Sequence, residues 1–199
     1  MDKITDIAAL EALYGSPGEA SLIKVADHIT PLYHAWIMAS RFCVLSTVGS
    51  EGTDASPRGD DGPVVQMTDP KTLLMPDWRG NNRMDSLRNI VTDGRLSLMF
   101  MAVGSDNVVR VNGTGAVHVD PDLLARFEDR GRQPRSVVVI SVQEVYSQCA
   151  RAIMRAELWQ GQAAADVPSV GALLAEAKAG FDGAAYDAEW LGRAKQTMW

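Results

Sequence analysis

The segment "NVVRVNGTGAVHV", residues 107–119, constrains the fold of this chain more than any other feature. From residue 109 onward, every second residue is a valine or a glycine, and in a strand these residues would share one face: Val109, Val111, Gly113, Gly115, Val117 and Val119. The alternate positions carry polar side chains, among them Arg110 and Asn112. This period of two predicts a long strand with one apolar face. The two glycines fit a strand that bends sharply or meets another backbone closely.

Further short β-rich segments, bounded by Gly, Pro or Asp, occur along the chain. They are "FCVLSTV", "TDASPRG", "PVVQM", "TLLMP", "RLSLMFM" and "SVVVISVQEV". Helical spacing of apolar residues is found in residues 3–14, 30–40, 84–91, 121–129, 149–158 and 168–198. Parallel strands would each need a crossover, and helices between these strands are few, so we predict an antiparallel closed sheet. The expected fold is mainly β with helices, a Greek-key-like antiparallel barrel decorated by N- and C-terminal helices.

No repeat, linker or low-complexity tract divides the chain, so residues 1–199 are predicted to form a single domain. The barrel core is expected at about 40–148, with a helical N-terminal segment at 1–40 and a C-terminal segment at 149–199. The net charge of -6 and pI of about 5.0 disfavour a broad nucleic-acid or anionic-membrane surface. The beginning of the chain lacks a signal-peptide core, and no apolar run approaches ~20 residues, so we expect a cytoplasmic protein.

Residues that support metal or nucleophilic chemistry are scattered. Cys43 and Cys149 lie far apart without a CxxC spacing, which disfavours zinc and a disulfide, and Cys43 is interpreted as a small core residue. The three histidines stand at positions 28, 34 and 118, and the chain has no HExxH, GxSxG or Walker motif. Asp54, Asp60 and Asp61 could hold a cation, but we interpret them as part of a solvated loop. No metal site is therefore expected.

The stretch "PDWRGNNRMDSLRNI" leads into a predicted helix with cations at its start. A helix start favours acidic residues, yet Arg79 and Arg83 stand around this one. With Asn82 as N-cap, bonding the N–H of Asp85, the first turn and Arg83 together would suit a phosphate. The alternative is that Arg83 pairs with Asp77 or Asp85 at the surface. The charge pattern favours neither interpretation over the other.

The order of four segments resembles the pyridoxamine 5'-phosphate oxidase-like FMN-binding split-barrel family. The segments are "VLSTVGSEGTDASPRGDDG", "TLLMPDWRGNNRMDSLRNI", "RLSLMFM" and "VVRVNGTGAVHV". The resemblance covers roughly residues 40–160 and is greatest to an uncharacterised branch carrying "SPRG", "GNNR" and "RVNG". It implies a split barrel, FMN as cofactor, and a homodimer with flavin at the subunit interface. Coenzyme F420 or heme could replace FMN in a similar barrel.

By this resemblance, a strand, a turn and the helix after it hold the FMN phosphate. Arg110 and Asn112 would face the cofactor from the next long strand, often across a dimer interface. Arg155 and Trp159, within "CARAIMRAELW", would contact the flavin from the second subunit. The cofactor contacts implied are Arg58, Gly59, Met75, Pro76, Asp77, Asn81, Asn82, Arg83, Arg110, Asn112, Arg155 and Trp159.

The chain also departs from pyridoxamine-phosphate oxidases proper. They carry an "RxVLLK" strand with a second basic residue, whereas this chain has the acidic "PRGDDG", and their C-terminal substrate-phosphate signature is missing. We therefore expect an FMN-dependent oxidoreductase that acts on an unidentified small molecule by hydride transfer, with catalytic residues unassigned. The alternatives are a non-catalytic flavin carrier or sensor, and a structural protein with an empty barrel.

Overall fold

A computed structural model describes residues 2–161 and 167–197 of the protein, and within them one seven-stranded sheet is flanked by eight helices. The strands are β1 Phe42–Gly49, β2 Gly52–Gly59, β3 Gln66–Asp69, β4 Thr72–Asp77, β5 Arg95–Met101, β6 Val108–His118 and β7 Ser136–Gln148. The helices are α1 Ile7–Tyr14, α2 Glu19–Ile23, α3 Pro31–Met38, α4 Asp85–Thr92, α5 Pro121–Ala125, α6 Arg151–Arg155, α7 Val170–Ala177 and α8 Gly183–Thr197. The predicted mainly β fold with helices is confirmed.

All neighbouring strands pair antiparallel, in the order β2-β1-β5-β6-β7-β4-β3. The prediction of a closed sheet was wrong, because within the described residues β2 and β3 do not pair with each other. β3 has only four residues, and its register with β4 shifts between Met67 and Asp69, so it offers little edge for closure. The sheet is an open, split barrel in which β2 lies at one edge and β3 at the other.

Some element boundaries differ from the sequence predictions. Val64 and Val65, predicted to begin β3, are buried before it, and the N–H of Val64 donates to the carbonyl of Ser40. These two residues are therefore apolar because they are buried in the core, although they do not belong to a strand. The segment 168–198 forms two helices instead of one, separated around Gly180, whose φ of +79° favours glycine. Position 198 of that prediction lies outside the described residues. α2 lies within the N-terminal segment 1–40 that was predicted to be helical, although the apolar spacing did not single it out.

The core lies on the inner face of the sheet. Leu45, Leu98, Val111 and Val145 stand in one row across β1, β5, β6 and β7, and each is fully buried. The helices α3 and α4 contribute buried isoleucines to the same core, and no described helix is long and apolar enough to cross a membrane. Cys43 is also fully buried, as predicted, and burial raises the pKa of its thiol to about 12.

The glycines of β6 have the role that the sequence indicated. A Cβ built on Gly113 would overlap the carbonyl oxygen of Ser141 on β7, and one built on Gly115 would lie 2.7 Å from Leu96 Cδ2. The register between β6 and β7 shifts between Asn112 and Gly113, which marks a bulge at this point. The close approach of two backbones therefore requires glycine at position 113.

We predict that Gly113→Ala destabilises the fold by about 1–3 kcal/mol, because the added methyl group meets backbone that cannot rotate away. The measurement is the urea midpoint of unfolding. Gly62→Ala is the control, since nothing lies within 4 Å of a Cβ at that position. Equal midpoints for the two variants would contradict the assigned close approach.

Candidate functional site

An ion pair crosses the split in the sheet. Arg58 on β2 and Asp77 at the end of β4 belong to strands that do not neighbour each other, yet Arg58 Nη1 lies 2.5 Å from Asp77 Oδ1. Their side chains are only 20% and 18% exposed. Arg58 Nε is buried and has no hydrogen-bond partner among the described residues. This guanidinium therefore retains a donor that protein groups do not satisfy.

A cleft of about 580 Å³ opens beside this ion pair, and we call it the arginine cleft. Its volume is typical of small-molecule sites. Five of the predicted cofactor contacts lie in its wall: Arg58, Asp77, Asn81, Asn82 and Arg83. The other lining residues are Asp54, Ala55, Ser56, Pro57, Trp78, Gly80, Met84, Asp85, Ser86, Leu87, Arg135 and Trp190. The turn and the helix start that the resemblance implied thus meet β2.

The start of α4 differs from the sequence prediction. The helix begins at Asp85 with Met84 as N-cap and no side-chain cap, so the assignment of Asn82 as N-cap was wrong. Arg83 lies before the helix, where its N–H donates to Asn81 Oδ1 at 2.9 Å and its Nε donates to Asp85 Oδ2 at 2.5 Å. The favourable acidic residue occupies the first helical position, and the cation pairs with it from outside. The surface pair considered above is thus present.

Asn82 has a different part in the same turn. Its φ is +61°, a left-handed conformation that asparagine tolerates better than most residues. Its Oδ1 accepts a hydrogen bond of 2.6 Å from Arg135 Nη1, and the backbone N–H of Arg135 donates to the carbonyl of Asp77. Arg135 therefore ties the turn to the end of β4. The sequence analysis missed Arg135, because only this long-range contact distinguishes it from other arginines.

Charges in the arginine cleft balance. Its three arginines, at positions 58, 83 and 135, are matched by carboxylates at positions 54, 77 and 85. Arg58 pairs with Asp77 and Arg83 pairs with Asp85. The hydrogen bond that Arg83 donates to Asp85 is the largest cause, and the negative charge of Asp85 the next, that raises the pKa of Arg83 above its usual range. An anionic ligand at this turn would have to compete with Asp85 for the guanidinium of Arg83.

The interpretation of the acidic residues as a solvated loop was wrong for two of them. Asp54 lies on β2, half-buried, and accepts a short hydrogen bond from the Ser86 hydroxyl at the start of α4. Asp60 is half-buried and accepts a hydrogen bond of 3.1 Å from Trp78 Nε1. Only Asp61 is exposed. Both inner carboxylates fix the walls of the cleft by contacts between residues distant in the sequence.

A second cleft, of about 490 Å³, adjoins the first, and we call it the neighbouring cleft. The two share Pro57, Arg58, Trp78 and Gly80. Gly59 and Pro76, both predicted cofactor contacts, lie in the neighbouring cleft, whereas Met75 is buried in the core at 1% exposure. Arg58 and Trp78 therefore form part of the wall between two adjacent spaces.

The remaining predicted residues do not line either cleft of this chain. Arg110 Nη1 donates to the Tyr146 hydroxyl at 3.0 Å, and Asn112 Nδ2 lies 2.5 Å from Glu144 Oε1. Both side chains lie on the outer face of the sheet, opposite the buried row of Val111. The Nε of Arg110 is buried without a hydrogen-bond partner in the described part of the chain.

The two candidates near the C-terminus also stand away from the clefts. Arg155 is exposed in the last turn of α6. Trp159 Nε1 donates to the carbonyl of Ser105 at 2.8 Å, which ties the segment after α6 to the loop between β5 and β6. No group of three or more His, Cys, Asp or Glu side chains in residues 2–161 and 167–197 could hold a metal ion.

Solved structures with a similar fold include a variant of HupZ from Group A Streptococcus. The TM-score is 0.50 at 17% sequence identity, over 60% of this chain and 99% of that chain. A protein related to general stress protein 26, of the pyridoxinephosphate oxidase family, from Clostridium acetobutylicum has a TM-score of 0.44 at 11% identity, over 58% and 84% of the two chains. An FMN-binding protein from Syntrophomonas wolfei has a TM-score of 0.42 at 13% identity, over 54% and 76%.

No curated protein sequence matches the chain. A protein-family model described as pyridoxamine 5'-phosphate oxidase matches residues 29–149. This match extends from just before α3 through the end of β7 and includes all seven strands, the turn with Asn81 and Asn82, and α4. It covers more than half of the sequence, and the split antiparallel sheet agrees with the fold that the resemblance implied. The chain therefore belongs to the pyridoxamine 5'-phosphate oxidase family.

Proposed function

We propose that the protein binds FMN in the arginine cleft and is an oxidoreductase that transfers hydride or electrons between the flavin and a small molecule. The observation that carries this proposal is the meeting of Arg58, Arg83, Arg135, Asn81 and Asn82 in one cleft of about 580 Å³. Family membership supports a flavin as the ligand. Bound FMN would supply the redox chemistry, while the protein supplies orientation and electrostatics.

The donors present suit a phosphate group. Among the described residues the buried Nε of Arg58 has no partner, and the exposed guanidinium of Arg83 pairs with Asp85. Guanidinium groups bind phosphate through charge-assisted hydrogen bonds in a planar fork. The amides of Asn81 and Asn82 stand in the same turn and add neutral donors. In this proposal Arg83 leaves Asp85 for the phosphate, and Arg135 keeps Asn82 and the turn in place.

The second candidate is a non-catalytic flavin carrier or sensor. The residues described as lining the two clefts include no histidine, lysine, cysteine or tyrosine. The side-chain hydroxyl in the arginine cleft that has a carboxylate partner is that of Ser86, which donates to Asp54. A hydride transfer to the flavin needs no protein acid or base, whereas many flavin reactions on a substrate do.

We expect freshly purified protein to show a flavin absorbance spectrum, and mass analysis of the released chromophore to identify FMN. Colourless protein that takes up no added FMN would overturn the proposal in favour of an interaction protein, and release of F420 or heme would change the cofactor. Reduction by NADH or NADPH, followed by reoxidation with candidate acceptors, separates the enzyme from the carrier. Flavin that is never reduced and reoxidised at a useful rate would support the carrier.

Substitutions of Arg83 and of Asp85 should change the affinity for FMN in opposite directions. Arg83→Ala should weaken FMN binding roughly tenfold to a hundredfold by removing a charge-assisted contact. Asp85→Asn should tighten FMN binding roughly threefold to tenfold, because it removes the competing carboxylate. Riboflavin lacks the phosphate, so its affinity should change little in either variant. Titration of the apoprotein, followed by flavin fluorescence, measures these affinities.

Arg95 and Asp93 provide the matched control. They form the same kind of exposed pair two residues apart, with Arg95 Nε 2.7 Å from Asp93 Oδ1, and neither lines a cleft. Arg95→Ala and Asp93→Asn should leave FMN affinity unchanged. Equal losses of FMN and riboflavin in Arg83→Ala would mean that Arg83 does not contact the phosphate. If Asp93→Asn also binds FMN more tightly, the effect of Asp85→Asn comes from the change in the protein's net charge and not from the loss of a competing carboxylate.

We further propose a homodimer in which the outer face of the sheet forms part of the interface. Val44, Met99, Arg110 and Tyr146 form one row across β1, β5, β6 and β7 on that face, and all are only half-buried in the single chain. A flavin site between subunits would give Arg110, Asn112, Arg155 and Trp159 the contacts that the resemblance implies. Twofold symmetry would then create two equal sites.

The cytoplasmic location stays a prediction.

We predict that Met99→Lys converts the dimer to a monomer and weakens FMN binding, because it places a second cation directly opposite Arg110 in the proposed interface, where burying like charges is costly. Size-exclusion chromatography with light scattering measures the mass, and titration measures affinity. Val119→Lys is the control, since Val119 is 68% exposed beyond the end of β6. A wild-type monomer that holds one FMN per chain would refute the shared site.

A further inference from the structure

One aromatic side chain in the arginine cleft comes from outside the part of the chain that the family match covers. Trp190 lies on α8, whereas the family match ends at residue 149. The side chain lines the same cleft as Arg58, Asn82 and Arg83, and the residue is 55% exposed. A large apolar ring is thus presented to the cleft by an element that the family match does not include.

The helix that carries Trp190 is fixed to its neighbour by close contacts. The backbones of α7 and α8 meet at Gly171 and Gly183, where a Cβ on either glycine would overlap the carbonyl oxygen of the other. Asp187 on α8 accepts hydrogen bonds from the N–H of Gly171 at 2.8 Å and from the Ser169 hydroxyl at 2.5 Å. These contacts lie at the start of α7 and one turn before Trp190. The helical hairpin is therefore a defined unit.

The indole ring is also supported from one side. Tyr186, one turn earlier on α8, stacks with Trp190 at a centroid distance of 6.3 Å and an interplanar angle of 19°. The guanidinium of Arg193 lies 4.6 Å from the centre of the Tyr186 ring, which holds that ring in turn. The ring of Trp190 thus has a neighbour that limits its orientation while much of its surface stays accessible.

We propose that Trp190 contacts the planar ring system of the ligand in the arginine cleft, by stacking, from the same chain that binds the phosphate. This inference rests on the proposed flavin function. An indole carries no charge for a phosphate but offers a wide π-face, which suits a fused heteroaromatic ring. Arg83 then contacts the phosphate of the ligand and Trp190 contacts its ring system. Trp190 is therefore a specificity-determining residue for planar ligands.

Trp190→Ala should weaken the binding of FMN and of riboflavin by the same factor, roughly fivefold to thirtyfold, since both contain the ring. Trp190→Phe should retain most of the affinity because it keeps a flat aromatic face. Fluorescence titration of the apoprotein with each flavin gives the affinities. The emission of bound flavin gives a second readout, since stacked indole quenches it, so Trp190→Ala should bind a brighter flavin.

Leu191→Ala is the matched control, because Leu191 is 64% exposed on the same helix and does not line the cleft. It should bind both flavins like the wild type. Urea unfolding should give Trp190→Ala and Leu191→Ala similar midpoints. If the midpoint of Trp190→Ala is lower, the affinities of Trp190→Phe and Trp190→Leu are compared instead. Both of these variants keep a large apolar side chain, and Trp190→Phe alone keeps an aromatic face.

Unchanged affinity for both flavins after loss of the aromatic face would overturn this inference and leave the FMN proposal intact. A loss for FMN alone would also overturn it, because it would move Trp190 to the phosphate end. If wild-type protein binds neither FMN nor riboflavin, the proposed function and this inference both fail. Parallel losses for the two flavins, with Leu191→Ala unchanged, would establish the stacking contact.

Discussion

The ion pair between Arg58 and Asp77 determines the shape of the whole site. β2 and β4 come from opposite parts of the strand order, and backbone strand pairing does not join them in the described structure. The pair connects them in the split, and both clefts include Arg58 in their walls. Removing either partner would leave the other charge four-fifths buried without its counter-ion, which is costly. The split is therefore held at a defined width by residues that also belong to the site.

Carboxylates within the cleft hold its arginines in place, and they bear on the phosphate binding that we propose for this acidic protein. Each of Arg58 and Arg83 has a carboxylate partner, so the guanidinium groups are oriented before a ligand arrives. In the proposed site a phosphate would replace Asp85, and its net affinity would be the difference between two charge-assisted contacts. Asp77 is better protected from replacement because its side chain is 18% exposed, against 44% for Asp85. We therefore infer that Arg83 exchanges partners while Arg58 keeps its own.

Sequence patterns predicted what depends on local periodicity. The alternation in β6 identified a buried strand face, its glycines indicated either a sharp bend or a close backbone approach, which the structure shows at Ser141, and the apolar spacing after Met84 identified α4. They did not predict Arg135, because its contact with Asn82 joins residues more than fifty positions apart, or Trp190, because the other residues that line the cleft lie more than fifty positions away from it. Asn82 was assigned a capping role that its left-handed backbone excludes. The sheet was predicted to be closed and is open, because the number of strands does not show how long the edge strands are.

The predicted cofactor contacts divide into two groups, and the sheet explains why one chain cannot unite them. Arg110 and Asn112 lie on β6, three strand spacings from β2, which is roughly 14 Å at about 4.8 Å per strand. Their side chains also point away from the core, whereas Arg58 shares the inner row of Cys43. No rotamer change can bring such side chains to the same ligand within one chain. In the dimer that we propose, Arg110 and Asn112 would contact a flavin in the cleft of the second copy, whereas the contacts proposed for Arg83 and Trp190 lie within one chain.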